Sequence, residues 1–496
     1  MLRLPNYQTR SPQTAFRLLQ TLAVVFLFTA APLRAQFAYL ANLGDNTVSA
    51  YSVGSNGALT PVPGSPFATG RQPFSVTVDP TGTFAYIANF GDSTVSAYSI
   101  DSDGSLTPVP GSPFATGGGP ISVTVDPTAR FVYVACQSNN GVSAYSIGSG
   151  GSLTPVPGSP FEAGVTPHSV AVDPTAKFVY VANYMGSTVS AYSIGSDGSL
   201  TPVPGSPFAA GKGYSLTVDP TAKFVYEEDA GGLQIFAFSI GSGGTLTPVP
   251  GSPFPGGVGP YAVVADPTAK FVYVTELPFD LPGSVSAYSI GPDGALTPVS
   301  GSPVAAGNEP LSVAVDPAAQ FIYAGNYTDG TVSAYSIGSD GALTPVPGSP
   351  FAAGTGPVSV VVSPVSFAAA TATLVVTPRH FLPSFALDES ITLGANSSYG
   401  INPFIQDVTV QIGSFSQTVP VGSFIKKRDG AFHFAGIINE VLLSLTISPV
   451  SGNNFTFTAH GEGLSFSPVN PVTVGLTIGG NTGTTTVTPT TATPKN

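Results

Sequence analysis

One unit of about 47 residues recurs seven times between Phe37 and Phe367, the mark of a repeat architecture. Its first piece reads FAYLAN at 37–42 and returns as FVYVAN at 178–183, FVYEED at 224–229, FVYVTE at 271–276 and FIYAGN at 321–326. A second piece, TVSAYSI or a close variant, follows, then LTPVPGSPF, then SVTVDP or SVAVDP. The aspartate of that last piece falls at Asp79, Asp126, Asp173, Asp219, Asp266 and Asp316, with Ser363 in the final copy. The spacings are 47, 47, 46, 47, 50 and 47, so the period is rigid. With 58 glycines and 49 prolines in 496 residues, the chain is punctuated too often for long helices.

Each piece is a short stretch of β-branched and aromatic residues in period-two alternation, as in Ser169-Val170-Ala171-Val172-Asp173, which is the period of a strand. Between the pieces lie DPTAK, GSDG and Gly-Pro turn signals. Four strands in every repeat, seven times over, predict an all-β chain built around a seven-bladed β-propeller over 37–367. The ends of the array are complementary. The first repeat lacks a preceding SVAVDP strand, while SVVVSP at 359–364 lacks a following partner. Pairing 359–364 beside 37–42 would close the ring and leave no open edge.

Outside the array, 1–35 reads as a signal peptide. Arg3, Arg10 and Arg17 precede an apolar run over 18–33, with Ala35 at a plausible cleavage point. That run is shorter than the ~20 residues of a spanning helix. Cleavage therefore fits it better than retention as an anchor, and no transmembrane segment is expected after removal. The expected location is secreted, periplasmic or at the cell surface. After a break at 364–372, alternating segments over 373–483 predict a small β-sandwich-like domain, and the Thr/Pro-rich tail over 484–496 is expected to be disordered. A formal charge of −12 argues against nucleic acid as a partner. The one cysteine, Cys136, excludes an intrachain disulfide framework and is expected to pack as a buried thiol. No metal motif or phosphate-binding loop is present, so neither a metal nor a cofactor is expected, and the protein is expected to be a monomer.

The seven copies differ most on one face. Where the chain enters the SVAVDP strand they carry Phe74, Ile121, His168, Tyr214, Tyr261, Leu311 and Val358. At the end of the FVYVAN strand they carry Asn42, Asn89, Cys136, Asn183, Asp229, Glu276 and Asn326, and the adjoining loops add Arg71, Lys212 and Glu309. Loops on a rigid scaffold are the usual place for binding groups. His168, Lys212, Tyr214, Asp229, Tyr261 and Glu276, from three successive blades, are thus expected at one mouth of the central channel.

FVYVAN, TVSAYSI, the proline-rich GSPF segment and SVAVDP together resemble the lactonase-type seven-bladed propellers with YVTN-like repeats, 6-phosphogluconolactonase among them. The resemblance covers all seven repeats. Thr166-Pro167-His168-Ser169-Val170 is similar to that family's His-Ser segment, and Thr275-Glu276-Leu277 to its Asn-Glu-Leu segment with a channel-facing glutamate. Pro260-Tyr261-Ala262 departs from it, standing where the family has an Arg-His pair. The loss removes a bidentate clamp for a carboxylate or phosphate. The resemblance implies a lactone hydrolase with His168 and Glu276 as catalytic residues. Lys212, Tyr214, Asp229, Tyr261 and Arg71 would be the ligand-binding groups, and a lactone or sugar acid the ligand. The missing pair points the other way, to a non-catalytic extracellular or cell-surface propeller that binds a ligand or partner.

Overall fold

In a computed structural model, the chain is described with its side chains over residues 36–278 and 282–364, followed by segments of strand backbone between Phe367 and Thr491. The signal peptide expected at 1–35 lies outside the described residues. So do the side chains by which a sandwich over 373–483 and a disordered tail over 484–496 would be judged. Among the described residues no helix is long and apolar enough to cross a membrane.

Residues 36–364 fold into seven separate antiparallel sheets, the blades of a β-propeller, and the strand backbone beyond them forms two further sheets. The fourth blade shows the plan. Its innermost strand Pro167–Val172 pairs with Phe178–Asn183, which pairs with Thr188–Ile194. LTPVPGSPF forms the outer edge as two short strands, Leu200–Pro202 and Phe208–Ala209, both paired with Thr188–Ile194. A single outer strand was the sequence expectation. Pro202, Pro204 and Pro207 cannot donate to a ladder, so the edge breaks between its two halves. The Ser206 hydroxyl fills the gap by accepting the Ala191 N–H at 2.9 Å, and an equivalent serine does so in every blade.

The ring closes as the complementary ends require. Pro357–Val362 is the innermost strand of the first blade, with Leu40 opposite Val360 and Ala41 opposite Ser359. Phe37 donates its N–H to the Ser363 hydroxyl at 3.0 Å, and Ser363 returns its own to the Phe37 carbonyl at 2.7 Å.

Sequence identity among the blades has a physical basis. Asp173 Oδ1 accepts the N–H groups of Lys177 (2.7 Å) and Phe178 (2.6 Å), and Oδ2 accepts that of Thr175 (3.0 Å). The uniform DPTAK turn is therefore held by a buried carboxylate. Between blades, Tyr39 donates to the Gly104 carbonyl, Tyr180 to Gly244 and, across the closure, Tyr323 to Gly57 at 3.0 Å. Gly57 has φ +80, and a Cβ there would lie 2.4 Å from the Phe321 ring, so this turn requires glycine.

Candidate active or binding site in the channel mouth

The innermost strands surround a cavity of about 160 Å³. Its wall carries His168, Tyr214 and Tyr261 from three successive blades, while the equivalent places in the other four are Phe74, Ile121, Leu311 and Val358. The structure thus brings together three of the seven residues singled out in the sequence.

His168 Nδ1 lies 2.8 Å from the Tyr214 carbonyl. A carbonyl only accepts, so Nδ1 carries the proton and Nε2 keeps a lone pair. Burial pushes the imidazole down to about 4, against the partial support of that hydrogen bond. The Tyr214 ring meets His168 edge-on at 4.8 Å and stacks on Tyr261 at 4.8 Å. Tyr184 covers its other face at 4.5 Å. Burial holds the Tyr214 hydroxyl above its ordinary range, and burial followed by the charge of Glu228 pushes Tyr261 up to about 12. The tyrosines therefore act as neutral donors and acceptors. Tyr184 was not among the expected residues. Its signal is the aromatic after the strand-ending asparagine, shared with Phe90 and Tyr327.

The fifth blade departs from the repeat behind this wall. Gly213 stands where Pro167 stands in the fourth blade, and the innermost strand is reduced to Leu216–Val218. Glu228, in the place of Ala182, uses Oε1 to accept the N–H of Ser215 at 3.0 Å and that of Tyr214. Its carboxyl group thereby fixes the backbone whose carbonyl holds His168. Glu227, in the place of Val181, accepts the Gly211 N–H at 3.0 Å. Both are fully buried, and each keeps one oxygen without a partner. Burial raises both carboxyls, Glu227 to about 8 and Glu228 well above the usual range.

Just beyond these residues along the strand, a serine from five of the seven innermost strands takes the N–H of the residue just past the equivalent position in the next blade. Ser359 accepts from Val76, Ser75 from Val123, Ser122 from Val170, Ser169 from Leu216 and Ser215 from Val263, at 3.1 to 3.2 Å. In four blades the serine faces an alanine across the ladder, as Ser169 faces Ala182. The sixth blade has Ala262 facing Thr275, and the seventh has Ser312 facing Gly325.

A family model described as "Lactonase, 7-bladed beta-propeller" matches residues 23–111, 106–280 and 279–360, well over half of the chain. The chain belongs to the lactonase family of seven-bladed β-propellers. No curated protein matches it. Among solved structures it is similar to a putative 6-phosphogluconolactonase from Bacteroides fragilis, at 16% identity and a TM-score of 0.59, over 66% of this chain and 98% of that one. One from Bacteroides uniformis matches at 17% and 0.58, over 66% and 99%. A periplasmic gluconolactonase from Pseudomonas aeruginosa matches at 17% and 0.56, again over 66% and 99%. At these identities the likeness is one of fold.

This lactonase propeller does not gather the remaining expected residues into its cavity. Glu276 takes the structural place of an asparagine. In most blades that asparagine bridges to the next strand, as Asn183 does to Thr188 (3.1 Å) and Ser190 (2.9 Å). Glu276 does the same, accepting the hydroxyls of Ser284 (3.1 Å) and Ser286, and it is buried between the strands rather than facing the channel. Cys136 fills this place in the third blade, with Sγ 3.4 Å from the Ser143 hydroxyl. Asp229 fills it in the fifth, where Oδ1 accepts the N–H of Lys212 at 2.9 Å. Lys212 and Asp229 line a separate depression with Gly231 and Gly232. Arg71, exposed in the second blade, donates its backbone N–H to Asp92 at 2.7 Å and lies outside the cavity lining.

Proposed function

We propose that this lactonase-family propeller binds a small oxygen-rich molecule of the sugar-acid class, as the open carboxylate or the lactone, at the mouth formed by its fourth to sixth blades. The carrying observation is that the polar residues of the cavity rim, His168, Tyr214 and Tyr261, fall in one sector and touch one another. The tyrosine hydroxyls and Nε2 suit the oxygens of a sugar. A cavity of about 160 Å³ is below the roughly 300–1,000 Å³ of drug-sized sites, so the ligand is a single small ring or its open form. The names of the similar Bacteroides and Pseudomonas proteins support the same ligand class. The leader supports export, so the ligand would be met outside the cytoplasm.

Binding fits these groups better than hydrolysis. With its pKa near 4, His168 is a weak general base at neutral pH. Glu276 is engaged by Ser284 and Ser286, and no lysine or arginine lines the cavity to stabilise a developing oxyanion. Calorimetric titration of the mature protein with sodium gluconate should give saturable binding. His168→Ala and Tyr261→Ala should each weaken it by about 10-fold, or about 1.4 kcal/mol. A pH-stat assay on glucono-δ-lactone should show no acceleration over buffer. Turnover that disappears in His168→Ala would make hydrolysis the function instead, and failure to take up either compound would overturn the reading.

A further inference from the structure

The geometry points to a carboxylate subsite at the break in the serine ring, across the channel from His168, with the Ser312 hydroxyl and the N–H groups of Val313 and Val360 as its donors. It deepens the sugar-acid reading and rests on it.

In an antiparallel ladder alternate residues turn their N–H away from the partner strand, and the innermost strand has no further neighbour in its own sheet. Those N–H groups therefore face the channel edge. Five of them are met by a serine hydroxyl of the preceding blade. The two exceptions are adjacent. Val313 follows the blade in which Ala262 offers only a methyl group, because the hydroxyl has moved one strand outward to Thr275, which accepts the Ala262 N–H at 3.1 Å. Val360 follows the blade of Ser312, whose hydroxyl has turned from it. A Cβ on Gly325 would lie 2.8 Å from Ser312 Oγ, so the missing methyl of Gly325 is what makes room for that rotation.

Ser312 is 8% exposed and lines the cavity, while its Oγ is itself buried beside Gly325 without a partner and meets a ligand by rotating back toward the channel. An unpaired buried hydroxyl beside two uncapped backbone N–H groups is a set of donors without an acceptor. A carboxylate supplies that acceptor, and its charge strengthens each bond. Leu311 and Val358 above the gap keep its surroundings apolar, which raises the strength of a polar contact there. In a ring of seven, the gap between the seventh and first blades stands opposite the fourth, which carries His168. A sugar acid would thus place its hydroxyl-bearing end on His168 and Tyr214 and its carboxylate at Ser312.

The test compares gluconate with sorbitol, which keeps the hydroxyls and lacks the carboxylate, by calorimetry on the mature protein. Gluconate should bind at least 10-fold more tightly. Two variants restore the pairing of the regular blades: Ala262→Ser combined with Thr275→Ala, and Gly325→Ala. Each should weaken gluconate by at least 10-fold, leave sorbitol unchanged and leave the melting midpoint no lower. Equal affinity of the parent for both compounds, or variants that hold gluconate like the parent, would mean the gap takes only water and would overturn the subsite while sparing the binding reading. Equal losses for both compounds would also overturn it. Should one variant fail to fold, the other variant and the parent comparison still decide. If the parent binds neither compound, the subsite and the sugar-acid reading fall together.

Discussion

At Glu227 and Glu228 two carboxyls occupy places that are apolar in most other blades, as at Val181 and Ala182 in the fourth. Burial dominates their chemistry, and for Glu227 the charge of Asp229 adds to it. A carboxyl raised from its ordinary 4.5 to about 8 binds a proton in the folded chain that the unfolded chain has already lost. Stability therefore falls as pH rises from the unfolded value through the folded one, and Glu228 acts with the same sign. His168, lowered from 6.5 to about 4, acts oppositely within that interval, where rising pH favours folding. Above about 6.5 the glutamates act without that compensation. The melting midpoint should thus drop between roughly pH 6.5 and 8. Glu227→Gln, which keeps an acceptor for Gly211, should drop less over the same range. An identical drop in the variant would show that Glu227 does not titrate there.

At the scale of the strand, the repeat was legible because every blade needs the same solution. The second strand is buried on both faces between neighbouring blades, an aspartate ties the turn in six of the seven, and glycine fits where a ring approaches. The broken outer edge was less legible, since LTPVPGSPF looks continuous until the prolines are asked for ladder hydrogen bonds. The strand-ending asparagine misled in a specific way. Asn183 and its equivalents vary like mouth residues, yet their side chains lie between strands, and Glu276 and Asp229 inherit that place. Side-chain direction follows from the register with the neighbouring strand, which one sequence does not carry. The closing strand gives the clearest prediction at this scale. Deleting 357–364 removes the innermost strand of the first blade and its bonds at Phe37, and exposes an edge. The melting midpoint should fall by well over the ~4 °C that about 1 kcal/mol commonly shifts a domain of moderate size. A truncated chain that melts with the parent would rule out any stabilising role for this closure.

Across the whole molecule, uniformity and variation divide between two faces, and the ligand reading depends on that division. The loops bearing the most exposed large apolar residues, Val165, Met185, Leu233 and Val258, all lie on the variable face in the fourth to sixth blades. They rim the sector that holds His168, Tyr214 and Tyr261. That sector was legible as three departures from the repeat. Its aromatic stack and the carboxyl group behind it were not, because Tyr184 comes from a loop and Glu228 reaches Tyr214 only where the proline of the repeat is gone. Hydrogen exchange on the purified protein, with and without saturating sodium gluconate, tests the central claim most directly. The account predicts slowed exchange in 167–170, 213–216 and 260–263, with the DPTAK turns unchanged. Slowed exchange at those turns instead, or no change anywhere under conditions where gluconate binds, would contradict it.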